Sequence, residues 1–432
     1  MKNKFIKSTL ILLIGGMITK IIGMFIRIMM SRLLTTSGIG TFMLIMPTFS
    51  LSIAIAQFGF PISISKLVAE NKRNNKKLVF SVIPISILIN LILMVFFLFS
   101  SKYIAINLLH NKDTYLALRS IGFVLPFVSI SSILRGYFFG RNKMVPHVVS
   151  NIVEDIVRFI VLLFGIPYFL KYGIAITIMF VMLSNIISEL TSSLVLFFFL
   201  PKSFSLKKID FIPRKDYIYD VFSISIPHTI SRVIGNVGFF FEPIILTFVL
   251  LKLGYSSEFI TNEYGILNGY VMTLLFLPSF FSNAISQAIV PGISYMFSNR
   301  KYRETISRLK LGVLISLLIG LASTGIMYFF GNHLLLFLYK STTGYNYLKF
   351  LCIPFILFYI ESPLINAIYA MGFSKESMIC TFYGVIIKLV LIIILCSFYG
   401  FWGYIYATSI NVLFVTIYSI LIIKKKTSSL LI

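Results

Sequence analysis

Acidic residues are scarce in this chain. Fourteen Asp and Glu stand against 38 Lys and Arg over 432 residues. Cysteines number three, Cys352, Cys380 and Cys396, and all fall inside apolar runs, so no disulfide framework or metal-ligand spacing can be read from them. The four histidines are scattered. No Walker loop, GxSxG elbow, HExxH pair or paired carboxylates in a soluble setting occurs. The expectation is therefore a protein that is not an enzyme, with no metal and no cofactor beyond Na⁺ or H⁺ as a coupling ion. Also missing is any polar stretch long enough for a soluble domain.

What is present is apolar sequence, 58% of the residues, with a mean hydropathy of +0.95. Runs longer than about 18 residues read as membrane spans. Twelve are expected: 8–31, 39–62, 79–100, 114–139, 148–169, 173–200, 217–251, 264–291, 307–330, 345–370, 378–399 and 401–423. The seventh is too long for one straight crossing and holds Pro227 and Pro243, which predict a bend. The class is an all-α polytopic membrane protein. Lys20 and Arg27 interrupt the first apolar run and no small-residue cleavage site follows, so this run reads as a retained helix and not a signal peptide.

The net charge of +24 does not point to nucleic acid. With the N-terminus cytoplasmic, segments on the inner side hold 24 of the 38 basic residues and outer loops hold seven. That is the positive-inside asymmetry, and it puts both termini in the cytoplasm of a bacterial inner membrane. Seven basic residues remain within spans: Lys20, Arg27, Arg119, Arg135, Arg158, Arg232 and Lys388. Arg119 and Arg135 lie near span ends and read as snorkelling to the interface. Arg158 follows Glu154 by one turn, the spacing of a structural ion pair.

The chain repeats. Thr19-Lys20-Ile21-Ile22-Gly23 near the start returns as Ser231-Arg232-Val233-Ile234-Gly235, while Pro61 with Pro291, and Arg158 with Lys388, recur at a spacing of 230. The reading is an N-terminal six-helix lobe (1–205), a cytoplasmic linker (206–216) and a C-terminal six-helix lobe (217–432). The two lobes are related by a pseudo-two-fold axis along the membrane normal, with cargo bound at the repeat interface. A cation near the bilayer centre costs roughly 2.5–3.5 kcal/mol on insertion scales, so one kept at matching places in both halves marks a site for an anion. Lys20 and Arg27 share a helix face flanked by Gly16 and Gly23, and His228, Arg232 and Asn236 form a stripe at i, i+4, i+8. Thr41, Thr48 and Ser52, and Ser279, Asn283 and Gln287, form two further polar stripes. An aqueous cavity lined by spans 1, 2, 7 and 8 accounts for all four. Lys20, Arg27 and Arg232 would hold a phosphate or diphosphate by charge-assisted hydrogen bonds, with His228, Asn236, Asn283 and Gln287 lining the site. Glu242, deep in the long span, could carry a proton or Na⁺, or could neutralise an arginine.

Further residues carry a family resemblance. They are Lys20-x-x-Gly23, Arg27, Ser31-Arg32-Leu33, Gly38-Ile39-Gly40 and the run from Gly59 to Glu70. Arg135 to Arg141 with Glu154 and Arg158 belongs with them, as does the series Glu263-Tyr264-Gly265, Leu277-Pro278 and Val290 to Ser294. In this order and spacing the chain resembles the stage V sporulation protein B family of the multidrug/oligosaccharidyl-lipid/polysaccharide flippase superfamily. The resemblance implies a two-lobed bundle that works by alternating access. It also implies cargo of the undecaprenyl-diphosphate-saccharide type, such as a peptidoglycan precursor for the spore cortex or another wall polysaccharide. In the related lipid II flippases, first-span cations line the cavity and are needed for activity. By position that role falls on Lys20, and one residue out of register on Arg27. The second-span arginine of those relatives has no counterpart here, and close members have fourteen spans against the twelve read here. Expected partners are the lipid-linked saccharide, membrane lipids and wall-synthesis enzymes. Two rivals stand beside this reading: a multidrug/cation antiporter of the same fold, which would favour acids in the first span, and a non-transporting scaffold for wall-synthesis enzymes.

Overall fold

The computed structural model describes residues 2–70, 74–201, 204, 210 and 212–431. Among these, helices follow one another in twelve membrane-length elements, ten of them simple and two broken. They are α1 (Lys2–Leu33), the pair α2 (Thr36–Ala56) and α3 (Phe60–Glu70), α4 (Asn75–Tyr103), α5 (Thr114–Gly140), α6 (Met144–Phe169), α7 (Ile174–Phe198) and α8 (Lys215–Lys252). Next come α9 (Ser257–Gly265), α10 (Met272–Phe276) and α11 (Ser279–Ser298), which make one broken element, then α12 (Tyr302–Tyr339), α13 (Tyr345–Ala370), α14 (Ser374–Tyr399) and α15 (Phe401–Leu431). Each of the twelve expected spans meets one of these elements. Hydropathy alone finds ten crossings, or eleven with the bent pair of α9–α10 and α11. The twelfth is α6, whose Glu154, Asp155 and Arg158 remove it from an apolar count although its other faces are apolar.

The described chain forms two compact units, Met1–Phe240 and Phe241–Ile432. The sequence puts the division at the 206–216 linker, of which only 210 and 212–216 are described. The units part instead within α8. Its first half is bound to the first unit, where Ser225 donates to Ser63 at 2.8 Å and Arg232 to Gln57 at 2.7 Å. The helix runs through Pro227 and Pro243 as one 38-residue span. At about 1.5 Å per residue it is about 57 Å long, well beyond a hydrocarbon core of about 30 Å.

Small residues set the packing of the first unit. A Cβ on Gly136 would lie 2.8 Å from the Pro61 carbonyl oxygen, and one on Gly140 would lie 2.5 Å from that of Ser65. The Gly136-x-x-x-Gly140 spacing thus lets α5 lie directly on the α3 backbone. Tyr137 and Phe138, between those glycines, join Phe60, Ile64, Phe80 and Val221 in the buried core. Serines tie α5 to its other neighbours, through a Ser86–Ser129 hydroxyl contact and the bond from Ser131 to Glu189 at 2.5 Å. The second unit buries Ile289, Ile293, Leu309, Leu364 and Ile368 between α11, α12 and α13. Tyr347, Phe350, Trp402 and Tyr406 form an aromatic cluster where α13 and α15 begin, the kind of belt that marks a membrane interface.

Each unit contains one broken element, and each break is served by a neighbour's side chain. In the first, Phe58 and Gly59 are both left-handed, at φ 45° and 61°, and Asn90 of α4 donates to the freed carbonyl of Ala56 at 3.3 Å. In the second, α10 and α11 meet at Leu277-Pro278 with a 46° bend, and the Tyr359 hydroxyl donates to the Leu275 carbonyl at 2.8 Å. Unwound backbone is tolerated at membrane depth only when its polar groups find such partners.

Candidate functional site

The break in the second span is where the repeated arginine arrives. Gln57 ends α2, and the left-handed turn at Phe58–Gly59 restarts the chain as α3. Only glycine fits at 59, because the backbone is left-handed there and a Cβ would lie 2.8 Å from the Ser225 carbonyl oxygen of α8. Phe58 holds its strained conformation by packing on Phe60 and Phe222. This close approach sets the α8 stripe over the break. Arg232 is half-buried and donates to the Gln57 side-chain oxygen at 2.7 Å. Asn236, a turn later, donates to the Arg232 carbonyl at 2.8 Å. Nδ1 of His228 is buried beside Gly59 without a hydrogen-bond partner.

Arg232 makes no ion pair among the described residues; the neutral amide of Gln57 orients it and leaves its charge uncompensated. A half-buried guanidinium held this way keeps its remaining donors for an anion. The glycines flanking the repeated motif stay open, since a Cβ on Gly16, Gly23 or Gly235 would meet nothing within 4 Å.

The other expected site residues fall into distinct groups. Lys20 is exposed on α1 and is not joined to the Arg232 group by any hydrogen bond or ion pair. Arg27 is exposed on the same helix and already engaged in an interaction. Asn283 and Gln287 are exposed on α11, in the second unit. The Thr41–Thr48–Ser52 stripe does not line a cavity. All three residues are buried, and Ser52 donates to the Thr48 carbonyl at 2.7 Å, so the stripe faces packed protein.

Arg135 is not a snorkelling residue. Its Nη2 bonds Glu154 at 2.5 Å, Ser192 at 2.9 Å and Glu189 at 3.4 Å, tying α5 to α6 and α7. Glu154 takes Arg158 on its other oxygen at 2.6 Å, and the ion pair expected from their spacing is therefore present within a larger network. Glu242, considered as an ion-coupling acid, is buried in the second unit with Lys388 Nζ at 2.7 Å and the Tyr404 hydroxyl on its other oxygen. It neutralises a lysine. Arg158 and Lys388, matched by the repeat, are thus both paired with acids. Glu361 of α13 is half-buried and accepts from Thr416 at 3.4 Å.

The sequence reading missed Gln57 and Asn90 although a signal existed, since Gln-Phe-Gly-Phe-Pro in the middle of an apolar run announces a break. No sequence signal linked Arg135 to Glu189.

A broken helix in each of two units, with Arg232 held by an amide at the first break, is the pattern of discontinuous-helix membrane transporters. The solved structures agree on the fold. An inward-facing multidrug resistance MATE family transporter matches with a TM-score of 0.76 and 16% identity over 98% of both chains. The inward closed lipid II flippase MurJ matches with a TM-score of 0.73 and 18% identity, over 95% of this chain and 87% of the other. The chain belongs to the polysaccharide biosynthesis protein family, whose model matches residues 5–297. It is 34% identical to stage V sporulation protein B of Bacillus subtilis (strain 168) over 406 residues, covering 92% of this chain and 78% of that relative. The family resemblance read from the motifs is thereby confirmed, and so is the multi-pass membrane nature of the chain. The two structural neighbours are named as a transporter and a flippase, not as catalysts.

Proposed function

We propose that the protein is a flippase for a lipid-linked saccharide, working by alternating access in a bacterial cytoplasmic membrane with both termini inside. The cargo would be a peptidoglycan precursor or another wall polysaccharide carried on undecaprenyl diphosphate. The observation that carries this reading is Arg232, a half-buried guanidinium with no ion pair among the described residues, presented at a helix break by Gln57. A diphosphate would complete its unused donors. Lys20, exposed on a face kept open by Gly16 and Gly23, would supply a second cation, and Arg27 a third. His228 and Asn236 would line the same place. The exposed amides Asn283 and Gln287 suit sugar hydroxyls. Similarity to a sporulation protein and to a lipid II flippase supports a wall-precursor cargo.

Coupling to Na⁺ or H⁺ through Glu242 would require displacing the Lys388 ammonium, so a substrate or potential gradient is the simpler drive. The multidrug antiporter reading wants unmatched acids among the first-unit spans, and Glu154, Asp155 and Glu189 each lie within ion-pair distance of an arginine. Reconstituted protein should move a fluorescent undecaprenyl-diphosphate saccharide across liposomes faster than its undecaprenyl-monophosphate counterpart. Equal rates for both would remove the diphosphate reading, and no movement of either would favour a scaffold that recruits wall-synthesis enzymes.

A further inference from the structure

Lys20 has a second set of neighbours, which the cargo reading does not use. α1 packs on α6 at Gly15, where a Cβ would meet the Val148 side chain at 2.3 Å. Three crossings separate the two helices, so α1 and α6 run in the same direction. Five residues beyond the Gly15–Val148 contact, Lys20 is level with residue 153 of α6, at the height of its acids. Lys20 is the weakest of three cations that act on Asp155, after Arg158 and Arg135.

The acids there are unequally used. Glu154 binds Arg135 and Arg158 at 2.5 and 2.6 Å, one on each oxygen. Glu189 takes the Ser131 hydroxyl at 2.5 Å and Arg135 at 3.4 Å. Asp155 is only 3.7 Å from Arg158 Nη1, beyond hydrogen-bond length, and its side chain keeps 17% of its exposure. Three carboxylates there meet two guanidiniums, and Asp155 is the one held least closely.

We propose that Asp155 is the resident counter-ion of Lys20, the carboxylate that steadies the ammonium when the site is empty and that an anionic cargo group must outcompete. This rests on the reading of Lys20 as a cargo-binding cation. Asp155 would be a positioning residue that weakens binding, so that cargo taken up on one side can leave on the other.

The test uses geranyl diphosphate as a soluble probe and titration calorimetry on the full chain in detergent, with wild type, Lys20→Ala, Asp155→Asn and the double variant. Asp155→Asn should tighten binding about tenfold, the order of one screened charge removed. The gain should vanish in the Lys20→Ala background, which a purely structural role for Asp155 would not produce. Asp155→Glu, which keeps the charge, should bind like wild type, and Asp155→Ser serves as the neutral variant should the Asn form not be recovered folded. If Lys20→Ala weakens binding but the neutral variants bind no tighter, or tighten it equally without Lys20, the counter-ion role is wrong and the cargo role stands. If Lys20→Ala leaves binding unchanged, the cargo role of Lys20 fails and the counter-ion role with it.

Discussion

Arg135→Gln should be among the most damaging single changes in the first unit. The guanidinium is 17% exposed and reaches Glu154, Glu189 and Ser192 at 2.5, 3.4 and 2.9 Å. Removing one member of a buried pair costs about 3–5 kcal/mol, mostly because the partner charge is left uncompensated. Here the loss falls at the lower end, about 3 kcal/mol, because both carboxylates keep another partner. Glu154 keeps Arg158 at 2.6 Å and Glu189 keeps the Ser131 hydroxyl at 2.5 Å. Glu189 is the group left without a cation, so Arg135→Gln/Glu189→Gln should recover more than half of the loss. The assay is heat-induced loss of the monodisperse peak in size-exclusion chromatography, with Arg119→Gln as a control. Arg119 is exposed and makes one long 3.4 Å contact to Tyr115, so its removal should cost no more than about 0.5 kcal/mol. If Arg135→Gln behaved like the control, or if the double variant were worse than the single one, the network would not be a buried charge cluster.

Two further predictions concern the breaks and the second unit. Gly59→Ala combines a left-handed backbone with a 2.8 Å approach to the Ser225 carbonyl, and should cost about 2–3 kcal/mol while slowing cargo movement; unchanged melting and transport would show that α8 does not need to seat there. Lys388→Met should leave the buried Glu242 carboxylate unpaired and cost about 3–5 kcal/mol, while Lys388→Met/Glu242→Gln should regain most of it in the same chromatographic assay. Near-wild-type melting of the single lysine variant would show that the pair is not held in the membrane-embedded protein.

Much of the fold was legible because hydropathy alone dictates it. A run such as 345–370 has no alternative to a helix in a bilayer, and the structure places Tyr345–Ala370 there. The element expected at 264–291 was harder. It begins at Ser257 and is broken at Leu277-Pro278, because a partner's hydroxyl can satisfy the freed carbonyl and no local pattern announces that partner. Charges near span ends misled for a related reason. Arg135 has the sequence position of a snorkelling residue, but Glu189 lies 54 residues away on α7, and only the packing of α5 against α7 reveals the pair. Polar stripes were ambiguous in principle. A serine or threonine can bond the carbonyl one turn back, as Ser52 does with Thr48, so a row of hydroxyls fits packed protein as well as a wet cavity. Arg232 was found because a cation repeated in both halves has no structural excuse until a partner acid is shown, and the structure gives it an amide instead.

Arg232 is held to act through its charge and not through its packing. Reconstituted protein with Arg232→Ala, Arg232→Lys and Gln57→Ala would be compared with wild type for translocation of an undecaprenyl-diphosphate saccharide. Alanine at 232 should abolish movement, lysine should retain part of it, and loss of Gln57, which orients the guanidinium but carries no charge, should slow it about tenfold at normal protein levels. Full transport by folded Arg232→Ala would show that the guanidinium charge does not hold the cargo.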